Sequence, residues 1–132
     1  PVAMGVVRGS QPGTSAAFAG LPGNPVAVFV TFARIVRPLL LRLAGALPEP
    51  LTALPVRAGF AYKKKEGRRE YVRVRLQRGT DGVFDAIKHP QDGAGVLTSL
   101  TETDGLVELE EDIRSIACGA TVGFLPYTTL IG

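Results

Sequence analysis

The sequence is poor in the residues that build metal centres, disulfides and aromatic surfaces. Its 132 residues include one cysteine, Cys118, so an internal disulfide is excluded and a reduced, cytoplasmic setting is indicated. The one histidine, His89, argues against a histidine-based metal site or a Ser-His-Asp triad formed by this chain alone. We interpret His89 as a surface turn residue beside Pro90, and Cys118 as a small half-buried apolar residue.

Acidic residues are scarce in the middle of the chain and basic residues are scarce in its last part, although the formal net charge is only +3. Residues 51–79 carry nine Lys and Arg against two Glu, whereas residues 80–132 carry two basic residues against nine acidic ones. We therefore expect the two segments to pair in the fold and to cancel most of the field. Single-strand binders interleave several aromatics with basic residues, and the basic segment holds few, so we expect no nucleic-acid partner.

The composition otherwise fits a folded globular chain, with 45% hydrophobic and 20% charged residues. No secretory signal is visible, and the start at Pro1 looks like a cut end rather than a natural one. Residues 47–50 (Leu-Pro-Glu-Pro) read as an extended linker, because two prolines end any helix there. We place the domain boundary in this linker.

The most informative stretch is residues 20–26, in which two glycines and two prolines require a rigid turn. Asn24 reads as a helix N-cap, and Pro25 reads as the first helical residue. A short strand over residues 16–19 leads in, so the turn lies at a strand–loop–helix junction, where α/β sheets place ligand sites. The pattern has two interpretations: a site formed by Gly20, Pro22, Gly23, Asn24 and Pro25, with the N–H groups of Val26 and Ala27 as donors for an anion, or a well-capped tight turn that binds nothing.

Residues 26–44 are apolar nearly all round, with three arginines as their only charges. A central Arg costs roughly 2.5–3.5 kcal/mol in a bilayer, so we interpret the run as a buried helix and expect no membrane partner. Pro38 removes one helical amide, which predicts a kink or break. Because this helix is apolar on nearly all sides, we expect a dimer partner or a missing N-terminal portion of the protein to cover its exposed apolar surface.

The remaining residues read as five or six short strands, which favours a small barrel or sandwich. Residues 71–76 alternate, with Val72, Val74 and Leu76 inward and Arg73 and Arg75 outward. Residues 80–82 predict a hairpin turn into a strand over 83–88, and residues 91–95 predict a loop. Further strands are predicted over residues 96–100, 105–108 and 120–125, and a first strand over residues 2–7.

Several motifs, in order along the whole chain, resemble the C-terminal part of the molybdopterin molybdenumtransferase family, to which the gephyrin-type proteins also belong. The most specific is the turn at residues 20–26. Others are Thr31-Phe32, Pro38-Leu39, Gly67-Arg68-Arg69-Glu70-Tyr71-Val72-Arg73, Asp104-Gly105-Leu106-Val107 and Cys118-Gly119-Ala120-Thr121-Val122.

The resemblance implies an α/β fragment followed by a small all-β barrel. Residues 1–48 would end a molybdopterin-binding-type α/β domain, and residues 51–132 would form the C-terminal β-barrel domain. It implies an enzyme that inserts molybdenum from molybdate into adenylylated molybdopterin, with Mg²⁺, and releases AMP. It also implies a homodimer, a pterin nucleotide substrate and contacts with other molybdenum cofactor biosynthesis proteins.

The chain departs from the family pattern at three points. The aspartates that members use around metal and pterin phosphate lie in upstream domains, so no catalytic carboxylate can be assigned here. A basic Pro-Gly-Lys-Pro-like stretch is missing after Met4, and Ala94 stands where members commonly carry a serine near the active site.

Two questions stay open at this point. Arg68 is equally well interpreted as a phosphate-binding guanidinium and as a solvated hairpin residue. A non-catalytic binding or scaffold module of the same fold is the alternative function. We assign the neighbouring lysines, Arg73 and Arg75 to a solvated surface that faces the acidic segment.

Overall fold

The computed structural model describes residues 2–90 and 97–131. The chain forms two compact units, Pro1–Pro48 and Glu49–Gly132. The predicted loop over residues 91–95, which includes Ala94, lies outside the described residues, and so does Val96, the first residue of the strand predicted after it.

The first unit opens with an antiparallel hairpin, formed by β1 (Ala3–Arg8) and β2 (Ser15–Gly20). The pairing runs from Ala3 opposite Gly20 to Arg8 opposite Ser15, so the hairpin is in register along its whole length. Both strands occupy the segments that the sequence predicts. The hairpin delivers the chain directly into the proline-rich turn.

The helical run that follows is interrupted, as the sequence predicts. It consists of α1 (Pro25–Thr31), a π-helical turn (Phe32–Val36) and α2 (Arg37–Leu43). The N–H of Arg37 donates to the carbonyl of Phe32, five residues earlier, which widens the helix by one residue. Pro38 then falls in the first turn of α2, where its missing N–H and its ring are tolerated. Among the described helices, none has the length and apolar character needed to cross a bilayer.

The second unit is a closed five-stranded barrel, which confirms the predicted fold class. Around the barrel the strands follow the order β3 (Leu54–Ala58), β6 (Phe84–Lys88), β5 (Glu70–Arg78), β7 (Gly105–Leu109) and β9 (Thr121–Pro126). The barrel is closed by pairing of β9 with β3. Every neighbouring pair is antiparallel except β3 and β6, which run parallel. Two further short strands, β4 (Tyr62–Lys63) and β8 (Ser115–Ile116), pair with each other outside the barrel.

The barrel interior is filled by small and branched apolar side chains. Val72 and Val74 point inward, as their alternation predicts, and Leu76 is half-buried near the strand end. The prediction for Arg73 is wrong, since this side chain is only 7% exposed although it alternates with core residues. Arg75 is exposed, as expected. The core cluster comprises Val56, Ala58, Val72, Val74, Ala86, Val107, Leu109, Val122 and Phe124.

Two short helices in the second unit have no counterpart in the sequence prediction. The strand predicted over residues 96–100 is wrong for its described part, because Thr98–Thr101 forms a single helical turn, α3. After β9 the chain forms α4 (Tyr127–Ile131), whose Leu130 is fully buried. The strands predicted at residues 105–108 and 120–125 are confirmed as β7 and β9.

The opposite charges of the middle and last segments do pair. The guanidinium of Arg69 contacts the carboxylates of Glu108 and Glu111, the latter at 3.0 Å, and Arg114 contacts Glu66. The hydrogen bond from Arg69 holds the pKa of Glu111 below its usual value. These pairs are largely exposed, so each contributes little to stability. They offset only part of the basic segment, because Arg68, Arg75 and Arg78 make no ion pair with the described residues.

A second charged group joins β3 to the hairpin between β5 and β6. Arg57 donates to Asp81 at 2.7 Å and to Asp85 at 3.1 Å, and these hydrogen bonds hold the pKa of both carboxyls below their usual value. A carboxyl whose pKa is lowered by folding stabilises the fold above its unfolded pKa, and this contribution is lost as the pH falls through the folded pKa.

We therefore expect Arg57→Gln to lower the Tm most at neutral pH, with the difference from wild type shrinking below about pH 4. Thermal unfolding followed by circular dichroism across pH 2.5–7 measures this. Arg78→Gln is the matched control, because Arg78 makes no ion pair with the described part of the chain. A Tm difference that stays constant with pH contradicts the prediction.

Candidate functional site

The turn at residues 20–25 ends β2 and caps α1. The backbone of Asn24 is extended, with φ −95° and ψ 147°, and its side-chain Oδ1 accepts the N–H of Ala27 at 3.0 Å. The carbonyl of Asn24 accepts the N–H of Val28 at 3.0 Å, and Pro25 occupies the first helical position. The structure therefore places an N-cap and a helix-starting proline where the sequence predicts them.

The cap changes which donors the turn can offer. The expectation that Val26 and Ala27 both donate to an anion is wrong for Ala27, because its N–H is bound by the Asn24 side chain. Val26 is buried. The turn is thus better described as a shaped surface than as a nest of free amides.

The two glycines of the turn have different surroundings. A side chain at Gly20 would approach Ala3 Cβ at 3.3 Å, so this position is tightly packed against the hairpin. No atom of the described chain lies within 4 Å of a Cβ built on Gly23, which is exposed together with Pro25. Pro22 and Asn24 are half-exposed. The outer side of the turn is therefore open to a ligand.

Arg68 lies in the second unit, in the loop between β4 and β5. The ammonium of Lys64 donates to the carbonyl of Arg68 at 2.5 Å and to that of Lys65 at 3.2 Å, which fixes the loop backbone. The guanidinium of Arg68 is exposed and makes no ion pair with the described residues, whereas the adjacent Arg69 is held by two carboxylates. Of these neighbouring arginines, Arg68 is the one with donors available for an anion.

A buried polar cluster outside the barrel core was missed by the sequence reasoning. Thr103 Oγ1 donates to the carbonyl of Ser99 at 2.5 Å and lies 2.6 Å from the hydroxyl of Tyr127. Burial raises the pKa of Tyr127, and its hydrogen bond with Thr103 and the charge of Arg73 partly oppose this. The buried guanidinium of Arg73 thus lies near these hydroxyls. Strand alternation assigned Arg73 to solvent, and no local signal announced α3 and α4.

A pocket of about 260 Å³ adjoins this cluster. His89 lies in this pocket, and its prediction as a surface turn residue is wrong, because its side chain is only 7% exposed. The Nε2 atom of His89 lies 2.8 Å from Glu102 Oε2. The N–H of His89 donates to the carbonyl of Arg73 at 2.9 Å, which ties the pocket to the cluster. The pocket is lined by Arg75, Ile87, Lys88, His89, Pro90, Glu102 and Thr103.

Two further expectations concern single side chains and metal ligands. Cys118 is exposed, so its interpretation as a half-buried residue is wrong. Across residues 2–90 and 97–131, no group of three or more His, Cys, Asp or Glu side chains is placed to hold a metal ion. The described chain therefore offers no cage of three such ligands for Mg²⁺, an ion that proteins also hold through one or two carboxylates together with substrate phosphates.

The fold defines a chain of two units, an α/β segment with a proline-rich turn and a small closed barrel of mixed strand direction. Residues 55–127 match the family described as the MoeA C-terminal region (domain IV). The chain therefore belongs to the MoeA family, which confirms the resemblance drawn from its motifs.

Curated relatives agree with this assignment. The chain is 29% identical over 119 residues to the molybdopterin molybdenumtransferase of Haemophilus influenzae, which covers 87% of this chain and 29% of the relative. It is 33% identical over 104 residues to molybdopterin molybdenumtransferase 2 of Mycobacterium tuberculosis, covering 75% of this chain and 24% of the relative. The chain thus spans less than a third of the length of these relatives.

Solved structures show the same fold. The molybdopterin biosynthesis moeA protein of Pyrococcus horikoshii superposes with a TM-score of 0.63 at 25% identity, over 80% of this chain and 26% of that one. A molybdenum cofactor biosynthesis protein of Pyrococcus furiosus gives a TM-score of 0.62 at 30% identity, over 80% of this chain and 36% of that one.

Proposed function

We propose that this chain is the C-terminal part of a molybdopterin molybdenumtransferase, which inserts molybdenum from molybdate into adenylylated molybdopterin and releases AMP. The observation that carries the proposal is the match of the barrel, residues 55–127, to the MoeA C-terminal region. The relatives named molybdopterin molybdenumtransferase support it, because their similarity extends over 87% of the chain in one case. We also propose that residues 1–48 end a molybdopterin-binding-type α/β domain and that residues 51–132 form the C-terminal domain.

The turn residues would bind the substrate through a surface of complementary shape rather than through free hydrogen-bond donors. Gly20, Pro22, Gly23, Asn24 and Pro25 form a rigid surface whose outer side, at Gly23, is open. A rigid surface of this kind can position a bound group without changing its own conformation. In a transfer reaction that depends on neutralising charge, such positioning is the contribution that a loop can make. Arg68 would supply one such charge, since its exposed guanidinium can grip a phosphate with two hydrogen bonds.

The remaining family properties are proposals for the whole protein. Mg²⁺ would need ligands in addition to the described residues, such as substrate phosphates, because these residues form no cluster of three ligands. We propose a cytoplasmic homodimer that binds a pterin nucleotide and contacts other molybdenum cofactor biosynthesis proteins. The exposed apolar side chains of the helical run, Leu40 and Leu43, support a covering partner or a further part of the protein.

The turn assignment is tested by Pro22→Ala and Pro25→Ala in the full-length protein. We expect each variant to insert molybdenum at least tenfold more slowly, because a shift of about 1 Å in a positioning loop costs up to about 10²-fold in rate. The fold should be retained, since Pro25 starts a helix that alanine also supports. The measurement is the rate of AMP release and molybdenum incorporation with molybdate and adenylylated molybdopterin.

Pro12→Ala is the matched control, because Pro12 lies in the exposed loop of the β1–β2 hairpin outside the turn. Circular dichroism and thermal unfolding should be alike for all three variants. Wild-type rates in both turn variants exclude the turn from the site. A wild-type protein that releases no AMP from the adenylylated pterin favours the scaffold alternative.

A further inference from the structure

The pocket beside His89 has a mixed lining that the proposed roles of the turn and Arg68 do not use. Its lining includes two cations, Arg75 and Lys88, and the carboxylate of Glu102. Ile87 and Pro90 supply apolar wall. At about 260 Å³ the pocket is smaller than the roughly 300–1,000 Å³ of sites for drug-sized ligands, so it suits one ring system rather than a complete nucleotide.

The carboxylate of Glu102 is held in place by a buried imidazole. His89 Nε2 lies 2.8 Å from Glu102 Oε2, and the His89 side chain is 7% exposed while that of Glu102 is 62% exposed. The backbone of His89 is fixed in turn, because its N–H donates to Arg73 and its carbonyl accepts from Lys88 Nζ at 3.3 Å. One oxygen of Glu102 is therefore anchored and the other, Oε1, makes no hydrogen bond with the described residues.

A second group in the pocket has unused hydrogen-bonding capacity. The guanidinium of Arg75 is exposed and makes no ion pair or hydrogen bond with the described residues. The pocket thus offers an acceptor at Glu102, donors at Arg75 and apolar lining from Ile87 and Pro90.

The signs of these charges decide which ligands fit. A free phosphate or molybdate, which only accepts hydrogen bonds, would leave the carboxylate of Glu102 without a donor, and a metal or organic cation would leave the guanidinium of Arg75 without an acceptor. A neutral planar ring that presents N–H donors on one edge and a carbonyl beside them satisfies both sides. Adjacent N–H groups can bond both oxygens of a carboxylate, and a carbonyl oxygen accepts from a guanidinium.

We propose that this pocket binds the 2-amino-4-oxopyrimidine edge of a fused ring, with its N–H groups on Glu102 and its carbonyl on Arg75. Pterins and guanine share this edge. We assign it to the pterin, and this choice between the two rests on the proposed function. His89 acts as a positioning residue that orients the Glu102 carboxylate.

The test is equilibrium binding to the chain, measured by fluorescence and calorimetry with four ligands: pterin, lumazine (which has an oxo group in place of the 2-amino group), guanosine and adenosine. We expect pterin to bind at least about tenfold more tightly than lumazine, because the 2-amino donor is lost in lumazine and a second carbonyl faces the carboxylate. Pterin should also bind more tightly than guanosine, and adenosine should bind most weakly.

Glu102→Gln should weaken pterin binding at least about tenfold and abolish the preference over lumazine, and Arg75→Gln should weaken pterin and lumazine alike. Glu110→Gln and Arg78→Gln, which lie outside the pocket, are the matched controls and should bind as wild type does. Both pocket side chains are exposed, so folding should be retained, which thermal unfolding checks.

Equal binding of pterin and lumazine, or unchanged binding by Glu102→Gln, overturns the proposal. Guanosine binding at least tenfold more tightly than pterin overturns the pterin assignment. Because no turnover is measured, this result is separate from the insertion assay on Pro22 and Pro25. Pterin binding without molybdenum insertion would reject the proposed activity and retain the pocket.

Discussion

Gly105→Ala is expected to destabilise the barrel by about 3 kcal/mol or more, the upper part of the range for overpacking a core. A Cβ at this position would lie 2.3 Å from the carbonyl oxygen of Leu125 and 2.6 and 2.7 Å from two ring atoms of Phe124. Neither neighbour can move cheaply, because Leu125 contributes its backbone to β9 and Phe124 fills the core. Since small domains are stable by only about 5–15 kcal/mol, such a loss is a large part of the total.

Urea unfolding followed by circular dichroism measures this change. Gly5→Ala is the matched control: Gly5 also lies in a strand, but no atom lies within 4 Å of a Cβ built there. The control should be neutral or slightly stabilising, because alanine is favoured over glycine in a strand. Similar midpoints for Gly105→Ala and Gly5→Ala would show that β7 and β9 are not packed as closely as described.

Leu130→Ala is expected to cost about 2.7–5 kcal/mol, as for other fully buried leucines cut back to alanine. Leu130 is 0% exposed in a helix of five residues, α4, that packs on β9. Leu106 and Leu125 face each other across β7 and β9 and are also fully buried, although they alternate with the residues of the barrel interior. Leu106, Leu125 and Leu130 are therefore buried without belonging to the core cluster of the barrel interior.

Ile131→Ala provides the control for this second prediction, because Ile131 follows in the same helix and is 56% exposed. Its substitution should change the free energy of unfolding by less than about 1 kcal/mol. If Leu130→Ala is equally mild, then α4 is not an integral part of the domain.

The parts of the fold that the sequence predicts well are those in which local chemistry decides the structure. The turn at Asn24 and Pro25 was predicted because an N-cap and a helix-starting proline act within one turn of chain. The break near Pro38 was predicted for the same reason, since a missing amide must be accommodated nearby. The strands that alternate cleanly were predicted because one of their faces lines the core.

The parts that were missed depend on contacts between distant segments. Arg73 was assigned to solvent by alternation, and alternation cannot show that Tyr127 of α4 and His89, directly after β6, lie close to this residue of β5. α3 was read as a strand because a single helical turn has no periodicity to detect. Short helices of this kind form where tertiary packing requires them rather than from their own propensity.

The candidate site residues also fall into those that the sequence could predict and those that it could not. Gly20, Pro22, Gly23, Asn24 and Pro25 are adjacent in sequence, so their turn could be recognised as one unit. The pocket at His89 and Glu102 joins the end of β6 to the residues after α3, and neither residue carries a motif. A lone histidine beside a proline gives no hint of a buried imidazole that holds a carboxylate.

The pairing of β3 with β9 has a consequence for how the second unit folds. The barrel is closed by its first and last strands, and β3 meets β6 in parallel, so neither contact of β3 can form through a hairpin. Loops that long are entropically expensive to close before the contacts form. The hairpin of β5 and β6 can form early on its own, but β3 can dock only once β6 or β9 is in place. We therefore expect the docking of β3, rather than formation of the β5–β6 hairpin, to limit the rate of folding.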